Sequence, residues 1–223
     1  MEENIAIKQK QLETWRKRPH SWSQHSQFRD YSKEDWYKRY VLGERLATTK
    51  EIDFGSAVDK RIQADPNYIP SIPRGTSLQH TITLEFGEHK LTGLFDIYDE
   101  NEVFIGEIKT GKAAWDKDRV DNHGQITMYC FLLFLNNNIM PESVKLKLYW
   151  LPTEELADFS IGFAKPFKVH EFETKRTLKD CLEFGAEVVN IRKEMEKYIL
   201  THDHAKDENG NTVIFEVESY PQN

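Results

Sequence analysis

The 223-residue chain is poor in cysteine, with two in all, Cys130 and Cys181. Two thiols cannot build a disulfide framework, nor can they hold a zinc or iron–sulfur centre by cysteine alone. Both lie in apolar helical patterns, which predicts ordinary buried thiols in a reducing, cytoplasmic setting. Long hydrophobic runs are missing too. No stretch could span a bilayer, and the opening MEENIAIKQKQ lacks the apolar core of a secretory signal, so no membrane partner is expected. Neither a Walker loop nor a GxGxxG string is present, which leaves nucleotide-driven chemistry without support. Internal repeats and low-complexity tracts are also lacking. What remains is 39% hydrophobic and 12% aromatic, the composition of a folded α/β domain with an ample core and a helical elaboration.

The net charge of −7 argues weakly against a nucleic-acid partner, but the average hides an asymmetry. The first 45 residues interleave cations such as Arg16, Lys33, Lys38 and Arg39 with rings such as Trp15, Trp22, Trp36, Tyr37 and Tyr40. Cations for phosphates and rings for bases suit a single strand, so Trp36 and Arg39 are candidate contacts; the alternative is that the rings are core and the cations solvated. Helices are predicted over Ile5–Arg18, ended by Pro19, after the Ser32–Asp35 capping pattern, and over Phe54–Gln63. In the last of these, Gly55 and Ala57 predict close packing, and Asp59 falls one turn after Gly55. Residues 66–77, with three prolines and a glycine, read as loop. Strands are expected at 81–86, 90–98, 103–109, 144–151 and near 168–172, with a helix over 119–135 and a long amphipathic one from Leu178 to Ile199. The polar tail carries a turn signal at Asn209-Gly210 and a short strand at 213–217. The expected division is a helical cap over 1–50, a core over 51–200 and a tail over 201–223.

The chemistry concentrates in GLFDIYDENEVFIGEIKTGK, Gly93–Lys112. It reads as two strands around a polar turn at 99–102. In the second strand Val103, Ile105, Glu107 and Lys109 share one face, so a carboxylate and an ammonium sit among buried-type neighbours. Ionised groups there cost several kcal/mol unless paired or bound to a metal. Asp96 on the first strand can lie close to Glu107 if the strands pair. A structural ion pair is one reading; two carboxylates brought together by a divalent cation is the other.

Five strings in order, SWSQHSQF with RYVLG, FGSAVD, Gly93–Asp96, EIKTG and QITMY (Gln125–Tyr129), resemble the RecB-type, Cas-associated exonuclease-like branch of the PD-(D/E)XK nuclease superfamily. The resemblance covers roughly residues 21–135. It implies a restriction-endonuclease-like α/β fold, a mixed sheet flanked by helices under an N-terminal helical cap. It implies one or two Mg²⁺ or Mn²⁺ ions held by Asp59, Asp96, Glu107 and the backbone carbonyl of Ile108, with no iron–sulfur cluster. Asp96, Glu107 and Lys109 would be the catalytic set, and Gln125, Tyr129 and Lys112 would support the site or contact DNA. The family commonly has histidine where this chain has Asp59; aspartate is still a competent Mg²⁺ ligand. The implied activity is hydrolysis of DNA phosphodiester bonds, by an exonuclease on single strands or strand ends in processing, recombination or repair. A structure-specific endonuclease, or a catalytically silent module that binds DNA or protein, is the alternative. A protein partner in a DNA-processing complex is a further expectation.

Overall fold

Capping side chains and one left-handed glycine set the limits of the first helices in the computed structural model, which describes residues 2–202. Helix α1 (Glu2–Arg16) stops short of Pro19, whose ring cannot continue it. Ser21 caps α2 (Trp22–Ser26) and Ser32 caps α3 (Lys33–Tyr37), the latter accepting from the Asp35 N–H at 3.0 Å. Each runs on into a wider π-type turn, Gln27–Tyr31 and Lys38–Leu42. Gly43, at φ 77°, ends the second of these in the left-handed conformation that glycine adopts freely.

The chain forms two compact units. The first holds residues 1–47, 83–92 and the chain from Gly185, so the chain returns to it twice instead of leaving it at residue 50. Its core joins Leu12, Trp15, Phe28, Trp36, Tyr37, Val41 and Leu42 to Ile191, Met195 and Ile199. Rings dominate this packing, with Trp36 edge-on to Trp15, Phe28 and Tyr198. Two ion pairs tie its sequence-distant parts together, Arg16 with Glu196 and Arg29 with Glu187.

The second unit, residues 48–82 and 93–184, contains α4 (Lys50–Ala64) and most of a mixed, mostly antiparallel six-stranded sheet flanked by helices. The strands are β1 (Ser77–Phe86), β2 (His89–Asp99), β3 (Phe104–Gly111), β4 (Lys145–Glu155), β5 (Ile161–Phe163) and β6 (His170–Thr174). Their order is β1-β2-β3-β4-β5, with β6 also on β4. β3 and β4 are parallel from Phe104↔Lys145 to Gly111↔Pro152, while β2 pairs β3 antiparallel. On one sheet face Ile97, Phe104 and Ile108 pack against Val58 and Ile62 of α4. Gly55 makes this approach possible, because a Cβ there would lie 2.7 Å from Thr110 Oγ1. Ala57, expected to share that role, is exposed on the far side of the helix.

The single helix expected over 119–135 is two, α5 (Lys117–Asp121) and α6 (Gly124–Asn137). Arg176, which is buried, donates from Nη2 to the carbonyls of Val120 and His123 at 3.1 Å each. Each carbonyl also accepts a backbone N–H, from His123 and Ile126 respectively at 3.2 Å, so the guanidinium adds a second donor to each at the interruption. After it, α7 (Leu178–Thr201) is the last helix among the described residues. The turn at 209–210 and the strand at 213–217 lie outside the described residues.

Candidate active site

Glycine, strand alternation and one interrupted ladder bring the site together within the second unit. The β2–β3 ladder runs from Asp99↔Phe104 to Ile97↔Gly106 and stops. Beyond it, the Ile108 N–H donates to Asp96 Oδ2 at 2.8 Å, so a carboxylate takes the place of a backbone carbonyl. The N–H and C=O of a strand residue leave by the same edge. The Ile108 carbonyl therefore also faces the gap beside Asp96. Glu107, one residue back, points to the opposite face from Ile108 and is 1% exposed.

Lys109 follows on the same face as Glu107. Its Nζ lies 2.5 Å from Glu107 Oε1 and donates to Gln125 Oε1 at 2.8 Å. Gln125 in turn donates from Nε2 to the Tyr129 hydroxyl, and that hydroxyl donates to the Leu94 carbonyl, both at 2.5 Å. Each member has one arrangement that satisfies its neighbours, so the chain of bonds fixes the ammonium in place. Gly93 is what lets α6 come this close: a Cβ there would stand 2.5 Å from Leu132 Cδ1 and 3.2 Å from Tyr129 Cδ1. The glycine of the Gly93–Asp96 string thus seats Tyr129 on β2.

Three carboxyl groups and one ammonium interact here. Burial raises Asp59 to about 7, helped by the charge of Asp96 and opposed by Lys109. Burial and Asp96 likewise push Glu107 up to about 8. Asp96 is raised by burial as well, with Lys109, the Ile108 N–H and the Gln79 amide working against the shift. Burial acts to lower Lys109, but Glu107 and Asp96 outweigh it and hold the ammonium above the ordinary lysine range. If all four ionised, the cluster would carry a net charge of −2 in a poorly solvated place. That deficit is the charge of one divalent cation.

The donor set suits a hard cation, since it is all oxygen. One further feature fits: Glu107 Oε2 is buried with no hydrogen-bond partner, an acceptor whose burial is costly unless something fills it. No three His, Cys, Asp or Glu side chains among the described residues are gathered tightly enough to hold a metal by themselves. Asp96, Glu107 and the Ile108 carbonyl are therefore the inner candidates, with Asp59 acting on them electrostatically through Asp96.

The linkage gives a testable sign. Asp59 and Glu107 have folded pKa values above those of an unfolded chain, so the folded state keeps protons that the unfolded state releases. Their stabilising contribution is complete below about pH 4 and is lost as pH rises towards 7–8. Thermal melts of the metal-free protein in EDTA should show Asp59→Asn gaining on the wild type steadily across that window. A constant difference would contradict the electrostatic coupling.

The remaining sequence candidates fall elsewhere. Lys112 is exposed between Glu51 and Glu155, at 3.6 and 3.4 Å. Arg39 is exposed in the first unit, with its guanidinium 5.5 Å from the centre of the Tyr40 ring. Trp36 is 0% exposed and offers no ring face to a base; it is a core residue. Of the two readings of the interleaved rings, burial favours core for Trp15, Phe28 and Tyr37 as well. Sequence reasoning missed Gln79, whose Nε2 donates to Asp96 Oδ1 at 3.1 Å. It lies in a stretch with no motif, and nothing in its neighbours marks it.

No family model and no curated protein matches the sequence. A solved structure from Eubacterium rectale, described as a putative exonuclease, superposes over 93% of this chain and 93% of its own, with a TM-score of 0.51 at 14% identity. A phage-related exonuclease from Haemophilus somnus covers 84% of this chain and 92% of its own at 14% identity, with a TM-score of 0.49. The first of these likenesses establishes a shared fold.

Proposed function

We propose that this chain is a metal-dependent deoxyribonuclease of the RecB-type branch of the PD-(D/E)XK superfamily, acting on single strands or strand ends. The observation that carries the proposal is the meeting of Asp96, Glu107 and Lys109 around a gap in the β2–β3 ladder, with Glu107 Oε2 left as an open, buried acceptor. The fold shared with the Eubacterium rectale protein supports it, as does the description of that protein as an exonuclease.

Asp96, Glu107 and the Ile108 carbonyl would hold Mg²⁺ or Mn²⁺, with Asp59 adding negative charge that favours binding. When bound, such an ion lowers the pKa of its water and neutralises charge on the phosphate. Lys109 remains an ammonium at neutral pH, because its pKa is held up, so it donates hydrogen bonds and cannot act as the base. Anchored by Glu107 and Gln125, it keeps one N–H for the attacking water or a phosphoryl oxygen, where it offsets charge developing in the transition state.

Preference for ends is tested with linear and closed circular single-stranded DNA of one sequence. An exonuclease degrades the linear form and spares the circle. Equal cleavage of both would make the enzyme an endonuclease with the same site.

A further inference from the structure

Four residues other than glycine have positive φ among the described residues: Gln79, Val103, Asn138 and Phe159. Val103 lies in the β2–β3 turn, Asn138 caps the end of α6, and Phe159 sits in the turn between β4 and β5. Those are chain reversals, where a left-handed residue has an obvious use. Gln79 is the exception: its φ of 54° falls inside β1, where an extended strand calls for a value near −140°. A side chain with a Cβ is disfavoured there, and glycine would take the conformation without strain. Strained residues in otherwise regular elements persist where their side chains are needed.

The need is visible at Asp96. The Gln79 amide donates to Oδ1 at 3.1 Å while the Ile108 N–H donates to Oδ2 at 2.8 Å. One neutral donor on each oxygen fixes the rotation of the carboxylate, with the Glu107 carboxyl beside it as a further hydrogen-bonding neighbour. Both donors are neutral, so they favour the ionised form without cancelling its charge. A lysine in the same place would compete with a cation; an amide does not. We infer that Gln79 is a positioning residue, which orients the Asp96 carboxylate for a divalent cation at the expense of a strained strand backbone. The inference rests on the reading of this site as a metal-dependent nuclease.

Two variants separate the amide from the backbone. Gln79→Gly removes both the donor and the strain; Gln79→Met keeps the length and the strain but loses the donor. Mn²⁺ binding is measured without DNA, by calorimetry or by the electron paramagnetic resonance of free Mn²⁺, alongside melting in EDTA. Both variants should bind Mn²⁺ about tenfold more weakly or worse, as expected when a partner of a metal ligand is lost. Metal-free Gln79→Gly should melt at the wild-type temperature or up to about 3 °C higher. Cleavage by both should recover towards the wild-type rate as Mn²⁺ is raised, placing the defect in metal affinity. Wild-type Mn²⁺ affinity in both variants overturns the inference and leaves the nuclease reading intact. A lower melting temperature for metal-free Gln79→Gly also overturns it, making Gln79 a structural residue. Absence of Mn²⁺ binding by the wild type itself overturns the inference together with the reading of the site.

Discussion

Lys109→Met should reduce DNA cleavage by about three orders of magnitude while leaving the fold in place. The ammonium is held by Glu107 and Gln125 so that one N–H remains for the reacting phosphate, and among the described residues no other cation is shown fixed in this way at the gap. Losing about 10³-fold corresponds to about 4 kcal/mol of transition-state stabilisation. Breaking a buried ion pair commonly destabilises a protein by a few kcal/mol, because the partner is left charged and unpaired. Here the partner can escape that penalty. Glu107 is already pushed up to about 8, and without Lys109 its pKa rises further, so it takes a proton at neutral pH. Methionine also fills the volume of the lysine stem. Melting temperatures within a few degrees of the wild type, with cleavage nearly abolished, are the expected pair of results. A large loss of stability would show that Lys109 holds the strand end together.

Asp96→Asn should abolish cleavage and Mn²⁺ binding, yet leave the metal-free protein at least as stable as the wild type at pH 8. The carboxylate is at the centre of the repulsion, since its charge raises both Asp59 and Glu107. Removing it lets both return towards ordinary values, which relieves the folded state where all three would ionise. The asparagine Oδ1 can still accept from the Ile108 N–H, so the gap in the ladder keeps its plug. The loss of function comes from the missing ligand charge. Calorimetry with Mn²⁺ and melting in EDTA check the two halves independently. Lower stability with retained Mn²⁺ binding would reverse the roles assigned to Asp96.

Much of this site was legible in the sequence because it depends on rules of short range. Strand alternation puts Glu107 and Lys109 on one face, and a four-residue helical step puts Gln125 beside Tyr129. Gly55 could be read as a place of close approach, and a side chain stands where its Cβ would be; at Gly93 the same crowding had no sequence signal beyond the motif string. The features that were not legible depend on partners far along the chain. The break between α5 and α6 is bridged by Arg176, more than fifty residues later, which adds a donor to a carbonyl on each side of it. The strain at Gln79 has meaning through Asp96 alone, and local patterns carry no sign of φ. Aromatic residues in the first 45 positions are where the sequence left two readings open. Composition cannot distinguish rings that stack on bases from rings that fill a core, and burial puts Trp15, Phe28, Trp36 and Tyr37 among the latter. β5 was missed because a three-residue strand has too little alternation to detect.

The most direct measurement is the degradation of end-labelled single-stranded DNA by the wild type in Mn²⁺, with and without EDTA, beside Lys109→Met. Cleavage by the wild type that disappears with EDTA and in Lys109→Met is the expected result. Folded wild-type protein that leaves single-stranded, duplex and branched DNA intact in Mn²⁺ would contradict the assignment of Asp96, Glu107 and Lys109 as a nuclease site.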